Sequence, residues 1–102
     1  MKSLIFDLCA DKVSAAFDLP HQDIFAKDKK GKMYVEARYS LYYLCSKKMI
    51  KNAYLKKYME ERGYSVSDYN IMYGIRRAEA MIKEDAHYAN MIRAMEDSIN
   101  LQ

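Results

Sequence analysis

Residues that interrupt regular backbone structure are scarce in this chain of 102 residues, which contains three glycines and a single proline. Sets of β-hairpins need many tight turns, and tight turns depend on such residues. The chain is therefore expected to form helices joined by short loops. Its length suits one domain, so we predict a single compact all-α bundle that spans residues 1–102.

Apolar side chains recur every three or four residues over five stretches, which predicts a bundle of about five helices. Pro20, Gly63 and the polar segment between the first two stretches separate them. The predicted helices are Ser3–Phe17, Met33–Lys48, Ile50–Arg62, Ser67–Lys83 and Ala86–Ile99.

Several residues have the chemistry expected at the ends of these helices. The Ser3 hydroxyl can cap the first helix, and Ser65 or Ser67 can cap the fourth. Gly63 suits the left-handed position that follows the end of the third helix. Met49 continues the apolar stripe of the second long helix, so we expect its side chain to be buried.

The charge pattern argues against a membrane or secreted protein. The longest uncharged run, 39–46, has 8 residues, whereas a membrane-spanning helix needs about 20. Asp7 and Asp11 interrupt any apolar core of a signal peptide. Two cysteines, Cys9 and Cys45, make no disulfide framework, so we expect free thiols in a reducing, cytoplasmic compartment.

Residue patterns typical of enzymes do not occur in the sequence. His21 and His87 lack the spacing of metal ligands, and three scattered glycines cannot build a phosphate-binding loop. The neighbouring acids at 60–61 and 84–85 point away from each other on a helix, so neither pair suits acid–base catalysis. We expect no catalytic, metal or cofactor site and hence a protein that is not an enzyme.

Charge is distributed unevenly along the chain, although the formal net charge is only +3. Residues 27–57 contain ten Lys and Arg against two acids, a local charge of +8, whereas residues 79–102 carry −3. Such polarity suits an anionic partner on one face. Tyrosines that can bind phosphates or stack on bases are interleaved with the basic stretch, at positions 39, 42, 43, 54, 58, 69 and 73.

The segment of about 50–83 has the layout of a helix-turn-helix: a helix that ends before glycine, a short turn and a capped helix with a polar start. In such a motif the second helix enters the major groove of duplex DNA. The residues expected to face the groove are Ser67, Asp68, Tyr69, Asn70 and Tyr73. Arg76 or Arg77 could reach phosphates.

Several segments resemble the C-terminal DNA-binding domain of the bacterial replication initiator DnaA. Residues 35–45 contain Ala-Arg followed, after four residues, by Tyr-Leu, which is similar to the signature of that domain's long helix. Residues 64–74 are similar to its recognition-helix signature, and residues 88–93 to its closing helix. With the lysine-rich segment upstream, the resemblance extends over roughly residues 12–98.

The resemblance implies a helical bundle of the kind seen in the Trp repressor and the DnaA C-terminal domain. It implies double-stranded DNA as the partner, with the recognition helix in the major groove and a basic loop beside the minor groove. The basic loop would be residues 27–32, with Lys27, Lys29, Lys30 and Lys32, and the arginine of the long-helix signature is Arg38. Because the sequence contains no counterpart of the initiator's ATPase portion, we expect a bacterial or phage accessory protein in replication or transcription.

Two departures from the family pattern leave an alternative function open. The Asp-His pair of the family corresponds to Ser67-Asp68, and its threonines correspond to Tyr69 and Asn70. An acid on the reading face repels phosphates, although it can accept a hydrogen bond from cytosine. The alternative is a protein-interaction module that keeps the fold but has lost DNA binding. Self-association through exposed Tyr and Met side chains is a third possibility.

Overall fold

The computed structural model describes residues 1–100, which form six α-helices and no strand. The prediction of an all-α domain is therefore confirmed. Each helix of this part of the chain is too short or too polar to cross a membrane. The helices are α1 (Lys2–Phe17), α2 (His21–Ile24), α3 (Lys32–Lys47), α4 (Asn52–Glu61), α5 (Asp68–Glu84) and α6 (Ala86–Asn100).

Five of these helices begin and end within two residues of the predicted positions, and the sixth, α2, was not predicted. With only four residues, α2 is too short to show a helical repeat in the sequence. It lies inside the polar connection between α1 and α3, and it buries Ile24 and the following Phe25.

Two of the predicted helix ends are confirmed, and one is wrong. Gly63 has φ +96°, a left-handed conformation, just after the end of α4. The Ser67 hydroxyl accepts a hydrogen bond from the backbone N–H of Asn70 at 3.1 Å and so caps α5. Ser3, in contrast, lies inside α1, which begins at Lys2 with Met1 in the capping position, so its hydroxyl caps nothing.

The predicted burial of Met49 is also wrong, because the backbone changes direction at this residue. Met49 has φ +64° and its side chain is 81% exposed. The left-handed turn directs the next residue, Ile50, into the core, where it is 2% exposed. The Ile50 N–H donates to the carbonyl oxygen of Cys45 at 3.0 Å, which fixes this geometry.

Helix α3 forms the centre of the bundle, with α1 against one face and α5 against the other. Leu41, Leu44 and Cys45 of α3 are completely or almost completely buried. Cys9 of α1 is also buried, and its free thiol neighbours the free thiol of Cys45.

The packing of α5 on α3 depends on Gly74. A Cβ atom at this position would lie 2.7 Å from the Tyr39 ring and 2.9 Å from the Tyr42 ring, closer than such contacts occur. Only a residue without a side chain therefore lets the two helices approach this closely. This approach brings the N-terminal half of α5 against the tyrosines of α3.

Candidate nucleic-acid interface

The capping residue and the N-terminal half of α5 place the predicted recognition residues on the surface. The side chains of Ser67, Asp68, Tyr69, Asn70, Tyr73 and Arg77 are all exposed. The opposite face of the same helix is buried through Ile71, Gly74 and Ala78. The buried residues recur every three or four positions and form one packed face, and the polar residues between them form the exposed face, as the sequence pattern indicated.

Three aromatic rings make a continuous row on this surface. The Tyr69 and Tyr73 rings are stacked, with centroids 6.5 Å apart and an interplanar angle of 20°. The Tyr39 ring meets the Tyr73 ring edge to face, at 5.9 Å and 76°. Tyr69 is 74% exposed and Tyr73 is 46% exposed, so the row offers free ring faces to a planar ligand.

Arg38 was predicted to contact DNA, but its side chain is only 4% exposed. Its Nε donates to the carbonyl oxygen of Ile24 at 2.7 Å, and its Nη2 donates to the carbonyl oxygen of Ala26 at 2.8 Å. A guanidinium group can be buried when its donors have such partners. Arg38 therefore holds the backbone that leads into the basic loop and is not available to a phosphate.

The same guanidinium group also contacts the turn between α4 and α5. Its central carbon lies 4.4 Å from the centroid of the Tyr64 ring, within the range of a cation–π interaction. One buried side chain thus connects the start of the basic loop to the turn that precedes α5. Each of these two regions directly precedes a segment that is predicted to contact DNA.

The four predicted lysines of the basic loop do not all share one environment. Lys27 and Lys30 are exposed, and the Lys29 Nζ lies 5.8 Å from the centroid of the Tyr34 ring. Lys32 is the first residue of α3 and lines a different cleft, beside α6. The loop proper is therefore 27–31, and three of its residues are lysines free of ion pairs within residues 1–100.

A cleft of about 210 Å³ opens between α3, the 64–66 turn and the start of α5. We call it the tyrosine cleft, because four tyrosines line it together with charged and polar groups. Its principal residues are Arg38, Tyr39, Tyr42, Tyr64, Asn70 and Tyr73. Of the predicted site residues, only Arg38, Asn70 and Tyr73 belong to this set.

Tyr42 is the most enclosed tyrosine of the cleft, with 2% of its surface exposed. Burial raises the pKa of its hydroxyl, and the neighbouring Tyr64 adds to this effect while Arg38 opposes it. The Tyr42 hydroxyl makes no hydrogen bond to another side chain among residues 1–100, whereas the buried Tyr88 hydroxyl lies 2.7 Å from the Ser40 hydroxyl. No polar side-chain atom of this range is both enclosed and without a partner, so the Tyr42 hydroxyl is open to solvent.

The charges near α5 are mixed. The Asp68 carboxylate lies in the first turn of α5, where the positive end of the helix dipole favours an acid. Arg77 lies two turns further along α5. Burial raises the pKa of the Tyr39 hydroxyl, and the positive charge of Arg77 partly offsets this rise. The exposed face of α5 therefore carries an acid in its first turn and a base two turns further along.

A second cleft, of about 500 Å³, lies at the N-terminal end of α3 and is lined by Phe17, Met33, Tyr88 and Met91 among others. His87 lies at its edge, far along the chain from His21, which pairs with Asp11 at 3.2 Å. Among residues 1–100 there is no group of three or more His, Cys, Asp or Glu that could hold a metal ion.

Tyr64 was not singled out in the sequence, because nothing in its local pattern connects it to Arg38, 26 residues earlier. Tyr39 and Tyr42 are three residues apart on one helix face, which was visible in the sequence, but their closeness to the start of α5 depends on Gly74.

In comparisons with known proteins, no family model, no curated protein and no solved structure matches the chain.

Proposed function

We propose that this protein binds double-stranded DNA through the exposed face of α5 and the basic loop. The observation that carries the proposal is the position of Arg38, which contacts the carbonyl oxygens of Ile24 and Ala26 on one side and the Tyr64 ring on the other. This connection joins the residues that precede the basic loop to the turn that precedes α5, although the two are far apart in sequence. A ligand with both a readable groove and a phosphate backbone suits such an arrangement.

The local structure of α4 and α5 supports a helix-turn-helix as the binding element. A left-handed glycine after α4, a short turn and the Ser67 cap of α5 are the parts that this motif uses. In a major groove, the first turns of α5 would carry the base-reading side chains. The Asn70 amide can pair with adenine and the Asp68 carboxylate can accept from cytosine.

Phosphate contacts would come from the lysines of the basic loop and from Arg77. Lys27, Lys29 and Lys30 lie within residues 27–31, and each neutralised phosphate releases counterions. Affinity is therefore expected to fall steeply as salt rises. The resemblance to the DnaA C-terminal domain supports the same partner, and it suggests a non-enzymatic accessory protein in replication or transcription, cytoplasmic in bacteria or encoded by a phage.

Fluorescence anisotropy with labelled duplexes over a series of salt concentrations tests this proposal. We expect micromolar or tighter binding with a steep salt dependence. Asn70→Ala should change the preference among duplex sequences, whereas Asn90→Ala, an exposed asparagine of α6, should not. Absence of binding at low salt contradicts the proposal, and an equal loss on every sequence with Asn70→Ala contradicts its base-reading role.

One observation favours the alternative, a protein-interaction module. Tyr69 is 74% exposed next to the Asp68 carboxylate, and exposed tyrosines are common at the centre of protein interfaces. This alternative predicts no DNA binding and a protein partner that is lost in Tyr69→Ala. The partner could be a second copy of this chain. Sedimentation that shows a monomer at tens of micromolar protein would exclude such a homodimer.

A further inference from the structure

We propose that the tyrosine cleft binds one unpaired base, so that the preferred DNA is a duplex that contains an unpaired nucleotide. This inference rests on the proposed DNA-binding function and specifies its substrate. Arg38, which holds the backbone that leads into the basic loop, lines the cleft. Asn70 and Tyr73 belong both to the exposed face of α5 and to the cleft. A base displaced from a docked duplex would therefore meet the cleft directly.

The Tyr42 hydroxyl is a polar group that the cleft offers to a ligand. Tyr42 lines the cleft and is 2% exposed, and its hydroxyl makes no hydrogen bond to another side chain among residues 1–100. No polar side-chain atom of that range is both shut off from solvent and unpaired, so the hydroxyl reaches the open space of the cleft. A ligand atom that donates or accepts a hydrogen bond can satisfy it there.

The walls of the cleft suit a flat, polar-edged molecule. The rings of Tyr39, Tyr64 and Tyr73 provide aromatic surface, and unpaired bases are recognised by stacking on such rings. The Asn70 amide and the Ser65 hydroxyl lie at the rim and can pair with the edges of a base.

The size of the cleft and the charge around it limit which ligands it can bind. Its volume of about 210 Å³ is below the range of roughly 300 to 1,000 Å³ that drug-sized ligands occupy. A single base is a ligand of suitable size, and its attached phosphates would lie outside the cleft. There they would meet the positive charge of Arg77, which acts on the Tyr39 hydroxyl of the cleft wall.

The experiment compares two labelled duplexes of the same sequence, one fully paired and one with a single extra adenine that has no partner. The affinity of the purified protein for each is measured by anisotropy at one salt concentration. We expect the bulged duplex to bind about tenfold more tightly, since stacking of one base on tyrosine has about that effect. Equal affinities overturn the inference but leave DNA binding intact, whereas no binding to either duplex overturns the proposed function.

Two pairs of variants locate the effect in the cleft. Tyr42→Phe should lower the preference for the bulged duplex about fivefold by removing one hydrogen bond, and Tyr43→Phe, its buried neighbour outside the cleft, should not. Tyr73→Ala should abolish the preference, while Tyr54→Ala, which removes a ring of similar exposure from α4, should keep it. A preference that survives both Tyr42→Phe and Tyr73→Ala overturns the assignment to this cleft.

Discussion

The guanidinium carbon of Arg38 lies 4.4 Å from the centroid of the Tyr64 ring, and the same group donates hydrogen bonds to the carbonyl oxygens of Ile24 and Ala26. The flat face of the guanidinium group packs on the tyrosine ring, and the N–H groups at its edge donate to the two carbonyl oxygens. Lysine has neither a plane nor a fork of donors, so it cannot replace arginine in both contacts. The shape of the proposed interface thus depends on a residue that does not contact the ligand.

Substitution of Arg38 should destabilise the fold. Arg38→Ala removes the donors from two carbonyl groups in a partly buried site, and we expect the free energy of unfolding to fall by about 3 kcal/mol. Urea denaturation followed by circular dichroism measures this change. Arg76→Ala, which removes an exposed arginine from α5, should change the value by less than about 0.5 kcal/mol. Equal effects of the two substitutions would contradict the structural role of Arg38.

Gly74→Ala should also destabilise the protein, although alanine is the better helix former. Its Cβ would lie 2.7 Å from the Tyr39 ring and 2.9 Å from the Tyr42 ring, so α5 must move away from α3. We expect a loss of about 1–3 kcal/mol in the free energy of unfolding. At Gly31 the nearest atom to an added Cβ is a ring carbon of Tyr34 at 3.6 Å, an ordinary contact. Gly31→Ala is the control, and a stable Gly74→Ala protein would show that the contact with α3 is not tight.

Stability should decline at alkaline pH because burial raises the pKa of the Tyr42 hydroxyl. In the unfolded chain this group ionises near pH 10, whereas the folded protein retains the proton to higher pH. The native state then binds more protons than the unfolded state, so stability is unaffected below about pH 10 and falls above it, by up to about 1.4 kcal/mol per pH unit. Urea denaturation between about pH 9 and pH 11 measures the slope. Tyr42→Phe should make the slope shallower, and an unchanged slope would contradict this assignment.

Replacement of Lys29 and Lys30 together by alanine should weaken binding to all DNA sequences by a similar factor. If each lysine neutralises one phosphate, the slope of log K against log salt should become shallower by about 1.8. The matched control replaces Lys83 and Arg93, which removes the same charge from the acidic part of the chain. Equal slopes for both double variants would show that net charge, and not the basic loop, determines affinity.

The fold class and five of the six helices could be predicted because low glycine and proline content and a regular apolar repeat are properties of the sequence itself. The helix α2 could not be predicted, since a helix of four residues shows no apolar repeat. The exposure of Met49 could not be predicted either, because the position of an apolar residue in the sequence does not show whether it lies in a helix or at a turn. The exposed residues of α5 were identified from their spacing. The burial of Arg38 was not, because its partners are backbone carbonyls 12 and 14 residues away.

The anchorage of the basic loop has a consequence for how this surface can change. Arg38 holds the loop by main-chain carbonyl oxygens, and these are present whatever side chains the loop carries. Residues 27, 29 and 30 can therefore be exchanged with little effect on the scaffold that supports them. New preferences could arise here by drift or by design, with α3 and the turn at Tyr64 left as they are.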